Sequence, residues 1–371
     1  MSYTSEQVFN ALRKVNHPEK GKDIIALGMV QELEINENRV AFSLALSKSN
    51  TTNIANLKQA CVAAIEQELG SEVQIRGNIK AVTLNEEEEH KPLAKVKNII
   101  AIASGKGGVG KSTVASNLSV ALANTGAKVG LVDADIFGPS LPKMFNVENN
   151  RPEITKQGNT EIITPIEKYG VKMLSIGFFV NPEDALVWRG PMATNALNQL
   201  LMQGDWGELD YLLIDLPPGT SDIHLTLVQA VSVTGAVIVS TPQDVALADA
   251  IKGINMFKGE KINVPVLGLV ENMAWFTPAE LPNNKYYIFG KGGCEALAKK
   301  MNVKLLSQIP IVQSIREGSD SGVPVAANSD TVLGATFDEM AQNVIKAIDE
   351  RNKNLTATKI VEIDPNASCG V

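Results

Sequence analysis

One run of residues constrains this chain more than anything else in it. Residues 104–113 read S-G-K-G-G-V-G-K-S-T, directly after the apolar run I-I-A-I-A (99–103) and before a helix-forming stretch. The run satisfies G-x-x-x-x-G-K-S/T, with Gly105, Gly110, Lys111 and Ser112 in the fixed positions. Glycines let successive N–H groups turn inward as an anion nest, and the start of the following helix adds its positive dipole end. The spacing therefore predicts that Gly105, Lys106, Gly107, Gly108, Val109, Gly110, Lys111, Ser112 and Thr113 cradle the phosphates of ATP. Lys111 is expected to reach the β- and γ-phosphates, and the Ser112 hydroxyl to ligate Mg²⁺. A glycine-rich turn that matches by chance would not need the strand before it and the helix after it.

The rest of the chain reads as the frame for such a loop. Short Val/Ile/Leu runs at 99–103, 129–132, 212–215, 236–240, 266–270 and 305–309 alternate with helical stretches. Continuous apolar runs of that length suit strands buried on both faces, which predicts an α/β fold: a mostly parallel sheet flanked by helices. Right-handed crossovers then bring the strand C-termini to one edge, where ligands bind.

A smaller α+β domain is expected over residues 1–84. It has an amphipathic helix at 6–15, alternating strands at 28–35 and 40–46 around N-E-N-R, a helix at 54–69 and a strand at 73–84. The run E-E-E-E-H-K-P (86–92) reads as part of an acidic linker over 85–96, leaving a nucleotide domain over 97–352 and a flexible tail over 353–371.

Two acidic strand ends complete the nucleotide site. V-D-A-D-I-F-G-P-S (132–140) and L-L-I-D-L-P-P-G-T-S-D (212–222) each put aspartate where a parallel strand meets the ligand edge. Asp215 is expected to hold Mg²⁺ through its water shell, and Asp135 to orient or deprotonate the attacking water. Gly219 is expected to offer its N–H to the γ-phosphate. For Asp133 the simpler reading, a helix N-cap, is preferred.

Beyond these motifs the chain resembles known proteins. Lys106, one residue after the first glycine, is similar to the extra lysine of the deviant P-loop ATPases of the MinD, ParA and nitrogenase-iron-protein type. The resemblance implies that it crosses a homodimer interface to the partner's nucleotide, and that Asn272 contacts the adenine, although a turn-stabilising Asn would read the same way. D-A-D-I-F-G-P-S-L-P-K-M (133–144), W-R-G-P-M (188–192), D-L-P-P-G-T-S-D-I-H-L-T-L (215–227), S-T-P-Q-D-V-A-L-A-D (240–249) and I-F-G-K-G-G (288–293) resemble the Mrp/ApbC family. The N-terminal unit resembles the MIP18-like domain often fused to it. Together they imply a homodimeric ATPase that carries an iron–sulfur cluster between donor and recipient proteins.

One departure cuts against the cluster half. The family generally has a C-x-x-C pair between the N-M and F-G segments, whose thiolates would hold a 4Fe–4S cluster across the dimer axis. Residues 274–287 here read A-W-F-T-P-A-E-L-P-N-N-K-Y-Y and contain no cysteine, and 47–52 of the small domain also lack the cysteine often found there. Cys294 and Cys369 are the remaining candidate ligands, set against structural or incidental roles for each, while Cys61 falls on the apolar face of a helix and reads as core. Trp188 and Arg189 read as residues near the nucleotide or the dimer face, or as plain packing and surface residues. His90 and His224 belong to no metal-ligand motif.

Composition excludes other classes. Lys plus Arg number 34 against 41 Asp plus Glu, a formal net charge of −7, and no basic run stands out, so neither a nucleic-acid nor an anionic-membrane partner is expected. The apolar runs are strand-sized, the N-terminus has no secretory pattern, and the 3 cysteines are scattered. A cytoplasmic setting is expected. The competing class is a MinD- or ParA-like regulator or scaffold that carries no cluster. Its membrane-targeting form should end in a basic amphipathic helix and its DNA-partitioning form should cluster Lys and Arg on one face; neither feature is evident.

Overall fold

The computed structural model describes residues 3–17, 21–36, 38–47, 54–70, 72–84, 93–158, 160–180, 190–260, 262–278, 280–281 and 283–360. The chain divides into two units, Met1–His90 and Lys91–Val371.

In the first unit, helix α1 (Ser5–Leu12) is opened by a capping box: Thr4 Oγ1 accepts the Gln7 N–H, and the Gln7 side chain accepts the Thr4 N–H at 3.0 Å. Strands β1 (Val30–Asn36) and β2 (Arg39–Ser47) pair antiparallel; helix α2 (Ile54–Leu69) then crosses to β3 (Ile79–Leu84), parallel to β2. Val8, Leu12, Phe42, Leu44 and Ile65 form its core, and Cys61 lies among them with its thiol pushed up to about 12 by burial. The strand expected over 73–84 is shorter than its apolar pattern: Gly77 turns the chain at φ +81°, and only Gln74 makes an isolated bridge, to Arg39. The segment 85–92, most of the expected linker, lies outside the described residues.

The second unit begins with β4 (Val96–Ser104), the phosphate-loop residues, helix α3 (Lys111–Asn124), β5 (Val129–Asp133) and the short α4 (Leu141–Met144). A hairpin β6 (Ile154–Gln157) and β7 (Thr160–Ile163) precedes β8 (Ile166–Lys168) and β9 (Val171–Ser175). Next come α5 (Gly190–Met202), β10 (Leu209–Asp215), α6 (Asp222–Ala230), β11 (Gly235–Ser240) and α7 (Asp244–Lys258). The unit closes with β12 (Val266–Glu271), α8 (Gly293–Met301), β13 (Leu305–Gln308), α9 (Gln313–Ser321) and α10 (Val332–Asn354).

Its main sheet has 8 strands in the order β13-β12-β11-β4-β10-β5-β9-β8, parallel except for β8. β4 sits between β11 and β10, so the chain moves outward one way through β5 and the other way through β11. That reversal opens a crevice beyond the end of β4. Both faces of β4 are packed: Ile99, Ala101 and Ala103 enter one core, Ile100 and Ile102 the other. This explains the unbroken apolar run.

One strand pair was not foreseen and one expectation is corrected here. The pair β8–β9 went unrecognised because Lys172 interrupts V-K-M-L-S; it is half-buried there and its Nζ donates to the Trp206 carbonyl at 3.4 Å. The tail was expected to be free from residue 353. Instead α10 runs through Asn354, and Arg351 Nη2 donates to the Thr356 carbonyl (2.8 Å) and to Thr358 Oγ1 (2.7 Å). The Ser232 hydroxyl also donates to the Thr358 carbonyl, so the segment up to 360 is fastened to the unit. Residues 361–371, with Cys369, lie outside the described residues. Among the described residues no helix is long and apolar enough to cross a membrane.

Candidate nucleotide site

The phosphate loop is shaped by what stands around it. A Cβ on Gly105 would lie 2.2 Å from the Asp249 carbonyl carbon and 2.5 Å from the Ala250 nitrogen, so α7 passes where only glycine leaves room. Gly110 caps α3 at φ +82°, and a Cβ there would meet Asn272 Nδ2 at 2.2 Å. The two fixed glycines thus answer different demands, close backbone approach and left-handed conformation. Between them, residues 106–113 with Ser104, Asp135, Ser140, Met144 and Pro218 line a cavity of about 220 Å³. Lys106 is half-buried on that wall, its carbonyl accepting the Ser104 hydroxyl at 3.0 Å.

Charge is concentrated at the base of this cavity. Lys111, only 6% exposed, donates from Nζ to Asp215 Oδ1 at 2.7 Å and to Ser112 Oγ at 3.3 Å, and lies 3.8 Å from Asp135 Oδ2. Burial raises the pKa of Asp215, and the Lys111 ammonium and Ser112 hydroxyl hold it back down. Asp135 is likewise raised by burial and lowered by Lys111. Asp215 Oδ2 is buried and has no hydrogen-bond partner. A completely buried carboxylate oxygen without a donor asks for a cation or its water, and the Ser112 hydroxyl stands beside the same carboxyl group. The residues present therefore fit Mg²⁺.

Three expected roles take a different form. Gly219 donates its N–H to the Ser104 carbonyl at 2.9 Å, so this amide is engaged rather than turned to a phosphate. Asn272, only 7% exposed, donates from Nδ2 to the Val109 carbonyl at 2.8 Å, bracing the phosphate loop rather than standing open to a base. Asp133 does not occupy the N-cap position of α4, which is Ser140, but its fully buried carboxyl group accepts the N–H of Leu141, the first residue of α4, along with the Asp135 N–H and the Ser175 hydroxyl. Its pKa is pushed up to about 7 by burial and by the Asp215 charge. A polar residue at the inner end of an all-buried strand was the available signal for it.

The cluster candidates separate from this site. Cys294 is the second residue of α8 and 0% exposed; its N–H donates to Glu271 Oε2 at 2.7 Å and its thiol faces the Thr241 carbonyl at 3.9 Å. Burial and the Glu271 carboxylate push its pKa far upward, whereas a metal ligand must be a thiolate. Of the two roles set against each other for Cys294, cluster ligand and structural residue, its burial and its protonated thiol fit the structural one. Among the described residues no group of three or more His, Cys, Asp or Glu could hold a metal ion. In the cysteine-free stretch 274–287, Phe276 and Tyr286 pair through two 2.8 Å main-chain bonds. Lys285 Nζ lies 3.8 Å over the Trp275 ring, and Tyr286 and Ile288 are 46% and 61% exposed. His224 is buried in α6 with Nδ1 near Ser221. His90, Trp188 and Arg189 lie outside the described residues.

A glycine loop between a central parallel strand and a helix, with a buried lysine and two strand-end aspartates, defines a P-loop nucleotide-binding protein. The description NUBPL iron-transfer P-loop NTPase matches residues 95–345, and the description iron–sulfur cluster assembly protein matches residues 5–76. The chain belongs to this family of iron-transfer P-loop NTPases. It is 42% identical over 326 residues to an iron–sulfur cluster carrier protein of Synechocystis, covering 88% of this chain and 92% of that one. It is 50% identical over 261 residues to an Arabidopsis thaliana mitochondrial iron–sulfur protein required for NADH dehydrogenase, covering 70% and 81%. Among solved structures it is similar to a nucleotide-binding protein in complex with ADP from Archaeoglobus fulgidus. That likeness has 40% identity and a TM-score of 0.55, and covers 64% of this chain and 92% of that one. Membership places the chain among P-loop NTPases, a class that hydrolyses ATP.

Proposed function

We propose that this chain binds and hydrolyses Mg-ATP as a homodimer and couples that cycle to receiving and handing on an iron–sulfur cluster. The observation that carries the reading is the buried Lys111–Asp215 pair at the floor of the phosphate cavity, with Asp215 Oδ2 left without a donor. When nucleotide enters, Lys111 exchanges a carboxylate for phosphate oxygens, turning a closed internal pair into a phosphate clamp. Ser112 and Asp215 would hold Mg²⁺, which supplies electrostatic neutralisation of the phosphate charge when bound. Asp135, on the same cavity wall, orients or accepts a proton from the attacking water. The half-buried Lys106 is the residue assigned to reach the partner's nucleotide. Expected donors and recipients are other iron–sulfur proteins in the cytoplasm.

The cluster is cargo in this reading, and the relatives' iron–sulfur names are what support it. A second reading, an ATP-driven scaffold or regulator without cluster, is favoured by one specific observation. Residues 274–287 contain no cysteine, and Cys294 is sealed in the core. Anaerobic reconstitution with iron and sulfide decides between them, assaying bound iron, labile sulfide and the visible spectrum beside Mg-ATP turnover. Cluster plus turnover supports the carrier. Turnover without cluster leaves the scaffold, and the absence of both removes the reading.

A further inference from the structure

We propose that Asp133 is a positioning residue for the phosphate chemistry: its carboxylate clips together the two ends of the loop that carries Asp135. This rests on the ATPase reading above. Oδ1 accepts the Asp135 N–H at 3.3 Å, while Oδ2 accepts the Leu141 N–H at 3.2 Å and the Ser175 hydroxyl at 3.0 Å. The segment between those two amides, D-I-F-G-P-S, is thereby closed on itself from beneath. Its first residue is the one whose carboxylate lies 3.8 Å from Lys111 Nζ.

The clip is set into the sheet. Asp133 pairs in register with Asp215 on one side and with Ser175 on the other, and all three are 0% exposed. Ser175 Oγ accepts the Gly177 N–H at 3.0 Å, which directs its own proton to Asp133. A Cβ on Gly177 would lie 3.3 Å from Pro139 and from Pro142, so the turn after β9 is packed against the clipped loop. Two N–H groups and a hydroxyl converge on one side chain, which therefore has to be an acceptor at both oxygens. An asparagine presents one acceptor and one donor, and its NH₂ would face an N–H. The carboxylate touches neither the cavity nor a phosphate position. It acts through Asp135, whose placement to within a fraction of an ångström governs how well a water is aimed.

The test uses the full chain with Asp133→Asn, Asp135→Ala, the double variant and the milder Ser175→Ala. Turnover of Mg-ATP is normalised to Mg-ADP sites counted by calorimetry, so that unfolded protein drops out. Asp133→Asn is expected to lower kcat about ten-fold, and Ser175→Ala about three-fold, with KM changed less than about two-fold. In the Asp135→Ala background, Asp133→Asn should cost nothing further, because its effect runs through the missing side chain. Multiplying losses in the double variant, or a raised KM with kcat intact, would overturn the proposal. If wild type binds Mg-ADP but does not turn over ATP, the ATPase reading fails separately. The clip is then judged by amide exchange: at Leu141 it should quicken at least about ten-fold in Asp133→Asn with α3 unchanged, and equal protection would overturn it.

Discussion

Two loops leave the same edge of the sheet, the phosphate loop after β4 and the hairpin after β12, and they are held in opposite ways. In the phosphate loop each feature has a fixed neighbour: Gly105 lies against α7, the Val109 carbonyl meets Asn272, and Lys111 sits between two aspartates. Lys111 and Asp215 are nearly closed from water before any ligand arrives. The hairpin is closed by the Phe276–Tyr286 pair and turns Tyr286, Tyr287 and Ile288 outward. An anion site must be organised in advance, since reorganising dipoles during the reaction raises the barrier. A surface that meets another protein can stay open until the partner covers it. The nucleotide end is thus organised before ligand arrives, while the hairpin after β12 presents exposed aromatic and apolar side chains.

The comparison breaks most plainly at Lys111. Lys111→Ala removes the phosphate counter-charge and leaves Asp215 and Asp135 facing each other, so Mg-ATP turnover should fall by roughly a thousand-fold. A steady-state assay with undiminished turnover would put the chemistry elsewhere. Next in size is Gly105→Ala. The added methyl collides with main chain of α7 rather than a side chain that can swing away, so stability should drop by about 3 kcal/mol in denaturant titration. A loss under about 1 kcal/mol would mean that α7 yields readily and the loop is less rigid than its contacts imply.

Acid should act on the phosphate end through His224, which packs near Phe257 with Nε2 unpartnered. Burial, with a smaller push from the Lys111 charge, lowers its pKa from 6.5 to about 4. Between those values the unfolded chain holds a proton that the folded chain does not. This contribution is complete above pH 6.5 and is lost as pH falls toward 4, amounting to roughly 3 kcal/mol. Asp133 has the opposite sign, because its raised pKa favours the folded state below its unfolded value and that gain is lost as pH rises through 7. The decisive measurement is therefore the difference between wild type and His224→Gln across pH 4–7, which should shrink toward the acid end. A constant difference would show that the imidazole is solvated or charged.

The phosphate end was largely legible because its determinants are contiguous: one run holds both glycines, Lys111 and Ser112, and strand polarity alone puts Asp135 and Asp215 at the same edge. What escaped were bonds between distant segments. Asn272 reaches Val109 across 163 positions, and nothing local to V-E-N-M distinguishes a side chain that grips the loop from one that meets a base. Asp133 read as a cap because aspartate before a helix usually is one; its three partners come from β9 and both ends of its own loop. Gly219 read as a phosphate donor from its setting after two prolines, yet its amide is taken by β4. For Cys294 the sequence left ligand and structural roles open, because nothing local to K-G-G-C shows that its glycines begin a helix whose second residue is buried.

The smallest expected effect falls at Cys294. If Cys294 is core, Cys294→Ser leaves bound iron and labile sulfide per chain unchanged in anaerobic reconstitution. It should cost about 1–2 kcal/mol in stability, because the shorter hydroxyl falls short of the Thr241 carbonyl that the thiol faces at 3.9 Å and is buried without that partner. Recruiting this thiol instead would require α8 to open, the Glu271 cap on its N-H to break, and the thiol to lose its proton beside that carboxylate. Each of those steps opposes the others' stabilising contacts, so a cluster that vanished with Cys294 would mean the β12–α8 region rearranges when cargo binds. A cluster that persists in Cys294→Ser and is lost in Cys369→Ser would place its ligands on the C-terminal segment. One that survives both changes would leave Cys61 or non-thiolate ligands to hold the iron, and Cys61→Ser then separates those two.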